Sequence, residues 1–264
     1  MKSPFQIEAV KPIQLTEKEK HELTDRLYKI HEEIFHGVSK AAFRKYVIEP
    51  DSKLTKIRIY RDVGGNDAGY LSFQVFETGP RRMDPFVVRT EVGFLPQYRR
   101  YNLTLPTLIR SAIAFQLKQL GRKGYFLATP VHPTPYRIGI NQLPEVWPHP
   151  ERETPQHIRE TLGTLREALG IRPVPGGGEF ACQVGWQVRE SQILKDRIMR
   201  RTDPITQFYL RQNPDYSEGN GMLMLVPLTL KTYMSGLGGL FRKRFRRSVQ
   251  WKTLTLRVPV PRFG

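Results

Sequence analysis

Cysteine is nearly absent: Cys182 is the one thiol in 264 residues. That excludes an internal disulfide framework and a cysteine-based zinc cluster, and it suits a reducing compartment. No stretch offers the roughly 18 consecutive apolar residues of a membrane-spanning helix. The longest uncharged hydrophobic piece, residues 222–230, is interrupted by Pro227. Residues 1–8 lack the apolar run of a secretory signal, so the expectation is a cytoplasmic protein. Negative charge is scarce as well. Against 42 Lys and Arg stand 25 Asp and Glu, a net charge of +17. Partners are therefore expected to be anionic: a phosphorylated cofactor, an acidic protein, an anionic membrane surface or nucleic acid. Histidines number six; His31 and His36 miss the four-residue spacing of helical metal sites, and with His21 they read as solvated. No Ser-His-Asp constellation, metal site or internal repeat is visible.

What is present is a regular succession of elements. Thr16 and Glu19 fit a capping box, and Leu23, Leu27, Ile30 and Ile34 then recur at helical spacing, with Gly37 available as a stop. Ala41, Ala42, Phe43, Tyr46, Val47 and Ile48 predict a short second helix ended near Pro50. Residues 56–61 alternate as a half-exposed strand, residues 62–67 supply a turn, and residues 69–77 form the partner of a hairpin.

The stretch around which the chain is organised follows. Residues 86–95 are rich in β-formers and read as a strand. A basic polar turn, Pro96 to Thr104, precedes Leu105, Leu108, Ile109, Ala112, Phe115, Leu117 and Leu120 at helical spacing. Pro106 fits the first helical turn, and Gly121 is placed to end the helix. Strand, turn and helix in this order aim unpaired backbone N–H groups at an anion. Residues 124–129 predict another strand, and residues 131–136 lead into a short helix through Ile140.

This order resembles the GNAT acyltransferase superfamily, in which a turn of pattern Q/R-x-x-G-x-G/A after the fourth strand holds the pyrophosphate of acyl-CoA. The matching residues are Arg99, Arg100, Tyr101, Asn102, Leu103 and Thr104, with Pro96 and Tyr98 at frequent upstream positions. Both glycines are replaced. Asn102 tolerates left-handed backbone angles, whereas the β-branched Thr104 crowds the place where a phosphate would approach. The resemblance spans roughly residues 10–142 and is one of layout more than of letters.

It implies an α+β fold: a mixed, mostly antiparallel central sheet flanked by helices, with a helical and basic C-terminal extension. Residues 1–145 would form the acyltransferase core, and residues 146–264 an extension completing the sheet. It also implies a thioester donor, acyl-CoA or an acyl-carrier protein bearing phosphopantetheine, and no metal. Donor-binding residues would be Phe94, Leu95 and the turn from Arg99 to Thr104. Glu91 or His132 would be the base and Tyr136 the acid beside the leaving thiol. The residues alone leave other readings open: Glu91 paired with Arg89 on one strand face, and His132 and Tyr136 anchoring a proline-rich loop. N-acyl amino acid synthases and acyl-homoserine-lactone synthases are the branch that charge and architecture bring to mind.

In the second half, residues 143–155 read as a proline-rich connection and residues 156–169 as a helix. Phe180, Cys182, Val184 and Trp186 alternate like a strand, with Cys182 a small buried hydrophobe. Asp203-Pro204 starts a helix, and residues 222–226 predict a late strand. Residues 231–251 carry Leu237, Leu240, Phe241 and Phe245 among Arg242, Lys243, Arg244, Arg246 and Arg247. That basic amphipathic segment suits an acidic carrier protein, an anionic membrane or nucleic acid, or packs on the core with a solvated face. The rival to an enzyme is a non-catalytic protein binding nucleic acid or a membrane through this surface.

Overall fold

The hydroxyl of Thr16 accepts the Glu19 N–H while the Glu19 carboxylate accepts the Thr16 N–H at 2.7 Å, so both halves of the predicted capping box are made. They start the longest helix of the computed structural model, which describes residues 5–101 and 104–235. Asn102, Leu103, the side chain of Arg100 and the basic segment beyond residue 235 lie outside the described residues. The first elements in chain order are β1 (Gln6–Val10), α1 (Glu17–Ile34), β2 (Phe35–His36), α2 (Lys40–Phe43), β3 (Leu54–Arg61), β4 (Asp67–Glu77) and β5 (Phe86–Phe94). Then come α3 (Thr104–Gln116), β6 (Gly124–Ala128), α4 (Pro133–Gln142), α5 (Gln156–Ala168), β7 (Ala181–Gln183) and β8 (Gln187–Val188). The described chain continues through α6 (Gln192–Met199), α7 (Pro204–Gln212), β9 (Asn220–Met222) and β10 (Met224–Pro227).

Six strands form the main sheet in the order β1-β3-β4-β5-β6-β10. Every neighbouring pair is antiparallel except β5 and β6, which run parallel across the α3 crossover. This mixed sheet, flanked by helices on both faces, is the layout that the resemblance to the GNAT superfamily implies. Alternation along β4 divides the core. Tyr70 faces α1 and α2 with Leu27, Ile30 and Phe43, while Leu71, Phe73 and Val75 face α3 and the later helices. Ser72 and Gln74, buried on the α1 side, are satisfied by the carbonyls of Val47 and Tyr46 at 2.8 and 2.6 Å. A buried hydroxyl or amide without such partners would be destabilising.

Several expectations change. Strand β1 was not foreseen because it is an edge strand, with Ile7 half-exposed and little apolar alternation to read. Helix α3 stops at Gln116 instead of running to residue 120, and Leu117 and Leu120 are 65% and 80% exposed. The Gln116 side-chain amide donates to the Arg122 carbonyl at 3.0 Å, which folds the chain back one turn early. The alternation around Cys182 becomes two short strands, β7 paired with β9 and β8 paired with β2. Gly185, at φ +83°, breaks it. The apolar run 222–226 is likewise shared between β9 and β10, and β10 lies along the outer edge of β6 with Leu225 opposite Leu127.

His31, expected to be solvated, is 1% exposed and stacks among Phe35, Phe43 and Trp186. Its Nδ1 lies 3.1 Å from the Tyr70 hydroxyl, and its Nε2 has no partner among the described residues. Burial pulls its pKa down to about 4. The unfolded chain therefore binds a proton near pH 6.5 that the folded one refuses. This group's stability contribution is intact above pH 6.5 and is lost as pH falls toward 4, by roughly 3 kcal/mol. His31→Phe should flatten that part of the stability-versus-pH curve, measured by urea unfolding between pH 4 and 7.

Candidate active site

The parallel pair that organises the sheet is short. Phe86 pairs with Gly124, Val87 with Tyr125 and Val88 with Phe126, and there the register ends. A Cβ at residue 124 would collide with the Phe86 ring, so glycine lets the two strands meet at this closed end. Past Val88, β5 continues to Phe94 against β4 alone, while β6 turns its remaining residues to β10. The strands part, and a cavity of about 640 Å³ opens between them. Its walls come from β5, β6, the first turn of α3 and the start of α4, closed from the second half of the chain by Val184, Trp186, Glu190 and α6. Most of that wall is apolar, and a few ionisable groups converge on it.

Glu91 sits mid-strand on β5, opposite Ser72, and reaches the cavity. Burial raises its carboxyl above the usual range, and the Arg89 guanidinium at 3.4 Å pulls it back. Arg99 also lines the cavity, although the sequence reading set it toward a phosphate outside. Its Nε donates to the Phe94 carbonyl at 3.0 Å, capping the end of β5, and burial lowers its pKa. The turn that carries it is a 3₁₀ helix, Pro96–Tyr101, tied to the β3–β4 hairpin by the Tyr98 hydroxyl, which donates to Asp62 at 2.7 Å.

His132 is the N-cap of α4. Its Nδ1 accepts the Thr134 N–H at 3.1 Å, so in the neutral ring the proton belongs on Nε2, 3.3 Å from Oε2 of Glu190. Burial and the nearby Arg99 pull its pKa down to about 4, which keeps the ring neutral at pH 7. It thus presents an N–H where the sequence reading expected a basic lone pair. Tyr136 is fully buried and does not line the cavity. Its hydroxyl donates to the Pro148 carbonyl at 2.9 Å and its ring packs against Phe208 and Tyr209. That bond holds the proline-rich connection to α4 and leaves the phenol, expected as the acid, off the cavity wall.

Of the expected donor-binding residues, Phe94, Arg99 and Thr104 line the cavity. Leu95 packs instead with the α1-side core, and the Tyr101 ring packs edge-on against Phe5 at 5.1 Å. Asn102, Leu103 and the Arg100 side chain lie outside the described residues. Cys182 is fully buried, with its thiol pushed up to about 12, an inert hydrophobe as the sequence suggested. Among the described residues, no group of three or more His, Cys, Asp or Glu is placed to hold a metal ion, and no helix is long and apolar enough to cross a membrane.

Glu190 escaped the sequence reading. Its side chain is 2% exposed yet it lines the cavity, and burial raises its carboxyl. Nothing local marks it, since it follows a two-residue strand and precedes the weakly periodic α6.

No protein-family model matches the sequence, and no curated protein matches it. Solved structures do. The chain is similar to Tetrahymena GCN5, with 13% identity and a TM-score of 0.34 over 58% of this chain and 83% of that one. It is similar to Arabidopsis thaliana NAA60, solved in complex with acetyl-CoA, with 9% identity and a TM-score of 0.36 over 84% and 99%. An acetyltransferase of the GNAT family from Streptococcus pneumoniae is 11% identical, with a TM-score of 0.34 over 85% and 99%.

Proposed function

We propose that this GNAT-like fold serves an N-acyltransferase, moving an acyl group from a thioester to an amine. The observation that carries the proposal is the parting of β5 and β6 after three paired residues, with a cavity in the gap and carboxylates on its wall. The free edge of β5 offers backbone N–H and C=O groups to a pantetheine arm, whose two amides can bond to it as an added strand would. The first turn of α3, beginning at Thr104, turns its orphan N–H groups toward the donor's phosphates. The thioester carbonyl then lies between the diverging strands. The amine attacks the carbonyl carbon, the C–N bond forms, the C–S bond breaks, and the thiolate leaves with one proton. A second proton must be taken from the incoming ammonium, and Glu91 and Glu190 are the carboxylates at hand.

The donor is acyl-CoA or an acyl-carrier protein. The net charge of +17 would attract either, and an acidic carrier most strongly. Most of the cavity wall is apolar, which favours a longer acyl chain. Thiol release from acetyl-CoA, octanoyl-CoA and an acyl-carrier protein, each with a mixture of amines, tests the reading. Amine-dependent release from at least one donor, and donor binding by calorimetry, are expected. Absence of donor binding, alongside nucleic-acid binding with a steep salt slope, would favour the non-catalytic rival.

A further inference from the structure

Among the described residues two carboxylates, Glu91 and Glu190, reach the cavity, and their surroundings differ. Glu91 belongs to β5, the strand along which the donor is placed, and the Arg89 guanidinium already occupies one of its oxygens at 3.4 Å. Glu190 approaches from the second half of the chain. Its Oε2 is buried and makes no hydrogen bond of good geometry, although His132 Nε2 stands 3.3 Å away. A buried carboxylate oxygen without a well-formed hydrogen bond is destabilising, and an ammonium N–H would supply one. The groups around it are arranged for that arrival. The imidazole is fixed in the Nε2–H tautomer by the Thr134 N–H. Arg99, braced on the Phe94 carbonyl, and Lys195 of α6 supply positive charge nearby. Tyr216, whose ring packs edge-on against His132, buries a hydroxyl with no good acceptor of its own beside the same carboxylate.

We infer that Glu190 receives the acceptor's ammonium group and takes its proton, with His132 as the positioning residue that orients the carboxylate. The inference rests on the acyl-transfer reading. In the step it describes, R–NH₃⁺ gives one proton to the Glu190 carboxylate and becomes the attacking amine. The amine nitrogen then bonds to the thioester carbon, the C–S bond breaks, and the second nitrogen-bound proton passes to the departing thiolate. Glu190 returns its proton to solvent. The acceptor thus enters beside residues 184–201, and the second half of the chain completes the active site as well as closing it.

The groups that face Glu190 set its titration: His132 from the α4 cap, Arg99 from the turn after β5, Lys195 from α6 and Tyr216 from the turn before β9. Burial outweighs the cations and holds the carboxyl above its usual range. Activity that needs the ionised form should rise with pH along a limb displaced upward from an ordinary carboxylate.

The experiment compares the full-length wild type with Glu190→Gln, Glu190→Asp and His132→Ala. It uses the best thioester donor and amine found above and reads kcat, the amine KM, the pH profile and thermal unfolding. Glu190→Gln is expected to lower kcat/KM for the amine by about 10²- to 10⁴-fold, the usual range for a lost general base, and to erase the acidic limb. Donor affinity by calorimetry should change by less than threefold. Glu190→Asp should keep the limb with a reduced kcat, so a folding defect in the glutamine variant would not hide the result. His132→Ala should shift the limb without abolishing it. An active wild type whose glutamine variant keeps both its rate and its limb overturns the assignment, and loss of the limb in Glu91→Gln alone moves the role to β5. A wild type that releases no thiol from any donor removes the acyl-transfer reading, and this assignment with it.

Discussion

An eight-carbon acyl donor is expected to react two to three orders of magnitude faster than an acetyl donor, measured as kcat/KM with one amine. Much of the cavity wall is aliphatic or aromatic, Leu105, Leu108, Ile138, Leu143 and Met224 among it. Each methylene moved from water onto such a wall contributes about 0.8 kcal/mol, or close to fourfold in kcat/KM when the interaction persists in the transition state. Six extra methylenes would give roughly 5 kcal/mol if every one were fully buried, and incomplete burial brings the expectation down to about 3–4 kcal/mol. The gain should level off once the chain fills the cavity. Ile138→Trp, on the α4 wall, should move the plateau to shorter chains and leave short donors largely untouched. A series in which acetyl outperforms octanoyl would contradict the chain-length reading and assign the space to the acceptor.

Arg122→Met is expected to destabilise the protein by roughly 3 kcal/mol, lowering Tm by about 10 °C for a chain of this size. Arg122 is buried, and its guanidinium bonds the Glu77 carboxylate, the Asp84 carbonyl at 2.6 and 3.0 Å, and the Gln119 side chain at 3.0 Å. These contacts lock the end of β4 to the segments entering β5 and β6, beside the closed end of the parallel pair. Methionine keeps an aliphatic stem but loses the guanidinium that lies over the Phe86 ring, and it strands the Asp84 carbonyl and one side of Glu77. Lys53, 2.7 Å from Glu77, retains part of the charge compensation, which keeps the loss at the lower end of the range for a broken buried pair.

The pH dependence has a definite sign. Arg122 first, then Lys53, hold the Glu77 carboxyl below its usual value. That contribution is present above the unfolded value near 4.5 and is lost as pH falls through the folded one. The variant should therefore approach the wild type in stability at low pH, a convergence that chemical denaturation at pH 3 and pH 7 would detect.

How far the sequence could be read depended on the range of the physics involved. The Thr16 capping box, the α1 stripe, the β3–β4 hairpin and the strand-turn-helix around Pro96 follow from neighbours within a few positions. They were legible, and the layout of the sheet came from the resemblance that their order carries. Glu91 was legible as a strand carboxylate for the same reason. Edge strand β1 was not, because an edge strand half in water carries little apolar alternation. Helix α3 was overextended, because Leu117 and Leu120 continue the periodicity while a side-chain bond from Gln116 ends the turn. His31 looked like any solvated histidine, and the packing of Phe43 and of Trp186 from the far half of the chain helps to bury it.

What the sequence determined by itself was most of the elements from α1 to α4, their order and a basic turn ahead of a helix, because periodicity, caps and turn chemistry act between near neighbours. What only the tertiary structure decided was the working surface: β5 and β6 part after Val88, Arg99 turns inward, Tyr136 is spent on a carbonyl, and Glu190 meets His132. Those outcomes depend on desolvation and on contacts between residues far apart along the chain, and no local pattern encodes which distant carboxylate will lose its water.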